Sequence, residues 1–205
     1  MTTIAGRDTC YFCVEYLKLR KNSIIILLFN GSKEVLLHTN LYAMANYDEL
    51  LKDGISHGMC EKFQKEWGNP GVKELCEKYF RGQDFCIEHN WPDMKWLDEN
   101  MRGKTLEYGI LINQTVQMSQ DDIREFALLG NSDLTLDVFD VCDITIRHGS
   151  KLHLNVHDGC FVYVSMHDDS VLDVVSKEGT GRVCVSYFGG SVINGGLIDK
   201  FNEKL

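Results

Sequence analysis

Residues 150–179 read SKLHLNVHDG, CFVYVSMHDD and SVLDVVSKEG when cut into tens. Each ten opens on a small residue: Ser150, Cys160, Ser170. Apolar residues follow two and four places later, as Leu152 and Leu154, Val162 and Val164, Leu172 and Val174. Between the members of each pair stand His153, Tyr163 and Asp173. Successive side chains of a strand point to opposite faces, so this two-residue alternation makes each ten one strand with one buried face. The tens close on Asp158-Gly159, Asp168-Asp169 and Glu178-Gly179, residue types that accept the positive φ of a tight corner.

Outward from this stretch the unit recurs with starts at Ser132, Cys142, Ser150, Cys160, Ser170, Thr180 and Ser191, spaced 10, 8, 10, 10, 10 and 11. The outer pairs are Leu134/Leu136, Ile144/Ile146 and, displaced by one place, Val183/Val185. A repetitive β region is therefore expected from about Ser132 to Ile193. Two topologies accommodate it, a β-solenoid and an antiparallel meander. A two-residue hairpin at Asp158-Gly159 would pair Leu154 with Tyr163, and paired residues share a face. Val164 would then lie opposite Leu154, and the buried face would break at each turn. In a solenoid equal offsets all point inward, so the solenoid is preferred and the meander is the alternative. With ten residues per side, a coil takes about twenty residues on two sides or about thirty on three, which leaves two or three coils with ends to protect.

The front of the chain reads differently. Ser23–Phe29 and Glu34–His38 are apolar runs separated by Asn30-Gly31, a hairpin signal. Tyr11–Leu17 is a candidate third strand. Residues 46–102 predict helices: one from Asp48 to near Gly54, one capped by Ser56 through Trp67, one opened by Asn69-Pro70 over Gly71–Phe80, one over Gln83–His89 and one from Pro92 to Met101. Tyr108–Ile112 predicts a strand, and Ser119 to Asp122 can cap a short turn. The reading is α+β, with a mixed β-hairpin and helical domain over 1–118 and a short β-solenoid over 119–205. The helical segment is expected to cover one end of the solenoid.

The chain has 205 residues and a net charge of −9. After residue 118 there are 14 acidic against 7 basic residues. That balance argues against a nucleic-acid partner, which requires a basic footprint. No apolar run approaches the roughly 18 residues of a membrane span, and no leader is expected over Met1 to Thr9. The eight cysteines are then expected as reduced thiols in the cytoplasm of the producing cell, with no structural disulfide.

Tyr108-Gly109, the serial units beginning Ser150-Lys151-Leu152-His153 and Arg182-Val183-Cys184-Val185, and the helical stretch Gly54-Ile55-Ser56-His57-Gly58-Met59-Cys60 with Trp67 together resemble uncharacterised proteins encoded by phages and prophages of gut bacteria. The resemblance covers about two-thirds of the chain and leaves out the hairpin region before residue 46. It implies a mobile-element or virion setting and transfers no activity.

Several constellations carry potential chemistry. Cys10-x2-Cys13 with Cys86-x2-His89 has the ligand types of a zinc site, against the plainer reading as free thiols. Cys60 three residues from His57, with His89 elsewhere, is a candidate thiol and base if the two share a helix face. His157 and His167 hold one offset in successive units, followed by Asp158 and Asp168, so stacked corners would gather imidazoles and carboxylates in a row. Phe161 and Tyr163 point outward from one unit and could contact a carbohydrate or another ligand. The Gly-rich nonapeptide of calcium rolls, the hexapeptide of acyltransferase β-helices and a phosphate-binding loop are all missing. The expectation is a non-enzymatic structural or interaction module that presents a rigid surface to a protein partner or to another copy of itself. Phe161, Tyr163, His157, His167, Asp158 and Asp168 are its candidate binding residues, with no catalytic residue, metal or cofactor assigned. Carbohydrate binding and an enzyme using Cys60 are the alternatives.

Overall fold

The computed structural model describes residues 47–195 and Ile198, and the backbone of the strands Thr3–Ile4, Phe12–Lys18, Ile24–Asn30, Lys33–Thr39 and Asp199–Asn202. Two compact units result, Met1–Asn46 and Tyr47–Leu205. In the first, β1 (Thr3–Ile4), β2 (Phe12–Lys18), β3 (Ile24–Asn30) and β4 (Lys33–Thr39) form an antiparallel sheet in sequence order. The expected hairpin is present, and Asn30 pairs with Lys33 as the last rung before the turn.

The second unit carries the repeats. Its strands are β5 (Ile110–Ile112), β6 (Thr115–Ser119), β7 (Glu125–Leu129), β8 (Asp133–Val138), β9 (Val141–Ile146), β10 (Lys151–Val156), β11 (Phe161–Met166), β12 (Val171–Lys177), β13 (Arg182–Tyr187), β14 (Val192–Asn194) and β15 (Asp199–Asn202). Odd strands form one six-stranded sheet and even strands a five-stranded sheet. Every neighbouring pair within these two sheets is parallel. This is a two-sided β-solenoid of about twenty residues per coil, and the meander is excluded. The face parity argued from Leu154 and Tyr163 is the reason: Leu152, Leu154, Val162 and Val164 all lie fully buried in one core.

Each strand sends up to three side chains inward. Leu134/Leu136/Val138, Cys142/Ile144/Ile146, Leu152/Leu154/Val156 and Val162/Val164/Met166 are all buried. The register corrects the unit start at Cys142. Cys142 lies level with Val162, not with Cys160, so the small-residue slot there belongs to Asp140. The displacement of Val183/Val185 also has a structural cause. In β12, Val174 pairs with Leu154 but Ser176 pairs with Asn155, which leaves Val175 as a bulge that is 63% exposed.

The solenoid starts at Ile110, well before Ser132. Strands β5 and β7 hide their alternation because both of their faces are buried. Leu111, Phe126 and Leu128 point into the solenoid core. Ile110, Ile112, Ala127 and Leu129 point outward, into a second apolar cluster made with the helices.

Those helices are α1 (Tyr47–Ser56), α2 (Glu61–Lys65), α3 (Val72–Arg81), α4 (Gln83–Glu88) and α5 (Met94–Asn100). Their bounds differ from the sequence reading where local packing overrides propensity. Gly54 does not end α1; it is buried within it, because a Cβ there would collide with the Met59 and Trp91 side chains. Ser56 is therefore the last residue of α1 and caps nothing, and α2 is one short turn with Cys60 at its N-cap. At α3, Gly71 is the N-cap, with its N–H donating to Glu74 Oε2 at 3.1 Å. At α5, Asp93 Oδ1 accepts from Trp96 N at 2.8 Å, just after Pro92.

The helices lie on the outer face of the odd sheet over β5 and β7, not across an end of the solenoid. The apolar outer residues of those two strands dictate this, since a helical layer must bury its apolar stripe against another apolar surface. The end of the core meets Leu106, from a 3₁₀ turn over Leu106–Tyr108, and Ile123. A polar seam fixes the layer. Arg147, 3% exposed, donates from Nη1 to Cys86 O at 3.1 Å, from Nη2 to Asn90 Oδ1 at 3.2 Å and from Nε to Asp168 Oδ2 at 3.2 Å. His148 Nε2 donates to the same Asn90 oxygen at 2.7 Å, and Gln83 Nε2 donates to Thr145 Oγ1.

Candidate functional site

A two-sided coil has two corner edges, and ten residues carry the chain from one to the other. His157 and His167 therefore lie on opposite edges, as do Asp158 and Asp168. The expected single row of imidazoles and carboxylates does not form. Residues about twenty apart stack instead.

On the first edge, joining even to odd strands, the His157 ring lies flat on Phe139, with centroids 4.1 Å apart and planes at 8°. Its Nδ1 is 3.2 Å from Glu178 Oε2, while Nε2 is 3.7 Å from Asp137 Oδ1, beyond hydrogen-bond reach. Asp158 accepts from Thr180 N at 2.7 Å and from Thr180 Oγ1 at 2.9 Å. These donors hold the Asp158 carboxyl below the usual range. On the second edge, His167 is buried, stacks on Phe188 at 4.5 Å and meets Ser165 Oγ at 2.9 Å. Burial lowers its pKa, with the Arg147 charge acting in the same direction. Asp168 holds the Arg147 guanidinium. Four of the six expected binding residues are thus engaged in contacts between neighbouring coils: His157, Asp158, His167 and Asp168. Asp168 also takes positive φ at its corner, a conformation that Asp tolerates.

Phe161 and Tyr163, with His157 at the corner beside them, lie around the outer wall of the odd sheet where no helix covers it. Phe161 is 38% exposed, and it pairs in register with Val141, which is 51% exposed. Phe139, 56% exposed and held against His157, extends the strip to the corner. Tyr163 is half-buried beside it, with its hydroxyl donating to Ser186 Oγ at 2.8 Å. Asp143 and Arg182 flank the strip at neighbouring register positions. Burial raises the Asp143 pKa. Val141 and Phe139 were missed in the sequence. Val141 was masked because the unit start was placed at Cys142, which left its strand parity unread.

The outer face of the even sheet is polar over β8 and β10, while Val175 and Val192 are exposed on β12 and β14. His153 stands between Asp133 and Asp173, 3.4 Å and 3.3 Å away. Among the described residues no set of three or more His, Cys, Asp or Glu side chains is arranged to hold a metal ion. Cys10 and the Cys13 side chain lie outside the described residues, so the four-ligand zinc set is described only at Cys86 and His89. Cys86 is buried, and burial pushes its thiol up to about 12.

Cys60 is exposed, but it does not share a helix with His57. α1 ends at Ser56, and Cys60 opens α2. His57 Nδ1 donates to Asp53 O at 2.9 Å, and its ring meets His89 edge-on at 6.2 Å. Among the described residues no hydrogen bond links Cys60 to either imidazole. No family model matches the chain, and no curated protein or solved structure matches it.

Proposed function

We propose that the protein is a non-enzymatic interaction module that presents a rigid β-repeat wall to a protein partner, in the phage or mobile-element setting that its sequence resemblance suggests. The observation that carries this reading is the exposed strip Phe139, Val141 and Phe161 on an otherwise polar wall. Its residues are fixed by the parallel ladder and by the Phe139–His157 stack, so little side-chain freedom is lost on docking. Aromatic anchors flanked by charges are the usual composition of an interface centre. The test is the double variant Val141→Ser, Phe161→Ser, used beside the wild type to capture co-expressed products of adjacent genes. Loss of a specific partner with an unchanged unfolding temperature is expected. Equal capture by both proteins would reject the strip as the docking surface.

A second contact rests on β14 and β15, the last strands of their sheets among the described residues. Such edges recruit further strands, and a second copy of this chain is the partner we propose for them. Light scattering at micromolar concentration should then show a dimer or larger closed assembly.

A further inference from the structure

The helical layer encloses a cavity of about 320 Å³ against the outer face of β5 and β7. Its floor is Ile110, Ile112 and Leu129, and all three tryptophans of the chain, Trp67, Trp91 and Trp96, line it. Phe63 and Phe85 complete the aromatic wall. Trp67 meets Trp91 at 6.2 Å, and Phe85 meets Trp91 at 5.5 Å, in tilted and edge-on arrangements. The lining is largely apolar, with Lys78, Arg81 and Asp84 among its charged members. Trp67 is 3% exposed, and its indole N–H, like the Tyr79 hydroxyl of the same lining, has no hydrogen-bond partner among the described residues. The Trp91 indole, by contrast, donates to Asp53 Oδ2 at 2.9 Å. A buried donor left unpaired is costly, so an unpaired donor on a residue that lines a ligand-sized cavity calls for an acceptor.

We propose that this cavity binds a small, planar, neutral aromatic compound carrying one hydrogen-bond acceptor, which takes the Trp67 N–H. The volume sets the size. A cavity of about 150 Å³ accommodates benzene, and ligand pockets begin near 300 Å³, so two fused rings fit. Neutrality follows from the rim. Lys78 lies over the Phe63 and Trp67 rings at 5.9 Å and 5.8 Å, but its ammonium donates to Glu66 O at 2.7 Å, and Arg81 pairs with Glu66. The rim cations are thus already engaged, and Asp84 in the same lining disfavours an anion. This site is separate from the exposed strip on β9 and β11 and does not depend on it.

The test uses the full chain with quinoline, which has two rings and one acceptor nitrogen, and naphthalene, which lacks the acceptor. Quinoline is expected to quench tryptophan emission saturably and to move the Trp67 indole N–H resonance in a ¹H–¹⁵N spectrum. Naphthalene should bind roughly five- to ten-fold more weakly, the range of one net hydrogen bond. Trp67→Phe keeps a ring and loses the donor, so it should bring quinoline down to the naphthalene affinity. Leu129→Phe fills the floor and should abolish binding of both while the protein stays folded by circular dichroism. Absence of saturable quenching in folded wild-type protein overturns the proposal. So does quinoline binding that Leu129→Phe leaves unchanged, or that shifts no indole resonance of Trp67.

Discussion

The solenoid and the helical layer beside it bury their apolar residues by different rules. Inside the coils the inward positions from Leu134 to Val164 are aliphatic or cysteine, evenly spaced and closed to solvent. In the layer the buried residues are irregularly spaced and largely aromatic or sulfur-bearing, as with Met59, Trp67, Tyr79, Trp91 and Met101, beside Leu50, Leu75 and Leu97. A repeat places each side chain on top of its predecessor one coil earlier, so one well-packed coil specifies the next. Helices without a repeat must solve each contact separately, and large rings that meet at an angle leave space between them. The cavity lies in the irregular half for that reason. Regular packing and cavity space are thus divided within one compact unit.

The sharpest way to break the regular half is a charge inside it. Val164→Asp places a carboxylate in a fully buried slot between Ile144 and Val185, with no partner. It should cost more than about 4 kcal/mol and unfold the repeats. The same charge at Phe161, three residues earlier and facing outward, should change stability by less than about 0.5 kcal/mol. Chemical denaturation of the two variants checks the contrast. Equal losses would mean that face parity does not govern this sheet.

The seam between the two halves comes next in size. Arg147→Met removes the guanidinium from Asp168 and leaves Cys86 O with Trp91 N alone and Asn90 Oδ1 with His148 alone. Asp168 is half exposed and stays solvated, so the loss is set by the guanidinium's hydrogen bonds, about 1.5–3 kcal/mol. Hydrogen exchange should show the 83–90 amides opening first, with the β10 and β12 amides still protected. Simultaneous exchange of both regions would show that helices and coils form a single cooperative unit.

Acid should loosen the same seam more gently. His148 Nδ1 accepts from Gly130 N at 3.4 Å while Nε2 donates to Asn90, so the folded ring is neutral. Burial lowers its pKa from 6.5 to about 4, with Arg147 adding to the shift. The unfolded chain therefore takes up the proton first. Stability is complete above about pH 6.5 and falls as pH drops towards 4, by about 1–3 kcal/mol. His167 shifts in the same direction. His148→Asn keeps a residue suited to the positive φ there and should flatten this part of the profile.

How much of this was legible follows from where alternation survives. The strands from β8 to β13 show one wet and one dry face, so period two exposed their inward residues and the solenoid itself. Ile110-Leu111-Ile112 and the run from Phe126 to Leu129 are buried on both faces, which erases the alternation and hid the first coils. The same double burial hid the resting place of the helices, since Ile112 and Leu129 look like core residues of any kind. Arg147 reads as a solvated charge in sequence, and only the three-dimensional approach of Cys86 O and Asn90 makes it a buried latch. At the candidate site the outward pair Phe161 and Tyr163 could be read from parity. The stacking of residues twenty apart, which separates His157 from His167, required the number of sides per coil, and spacing alone left that open.

The smallest expected effect tests how the repeat absorbs an irregularity. The spacing from Ser170 to the next equivalent corner, Gly181, is one residue longer than the ten that separates Ser150, Cys160 and Ser170. A one-residue insertion in a strand normally flips everything after it to the wrong face. Here Val175 takes the extra place as an exposed bulge, pairing resumes at Ser176 with Asn155, and Val183 and Val185 return to the core opposite Val162 and Val164. Deleting Val175 should therefore restore an even ladder. Since the deletion removes a 63% exposed side chain and no inward one, the unfolding temperature should move by no more than a few degrees in either direction. Deleting Val174 instead would offer Val175 to the inward slot and should be tolerated nearly as well. Deleting Leu154, in a strand with no spare residue, should collapse the fold. If the Val175 deletion proved as damaging as the Leu154 deletion, the bulge would be a requirement of the coil and not an absorbed insertion.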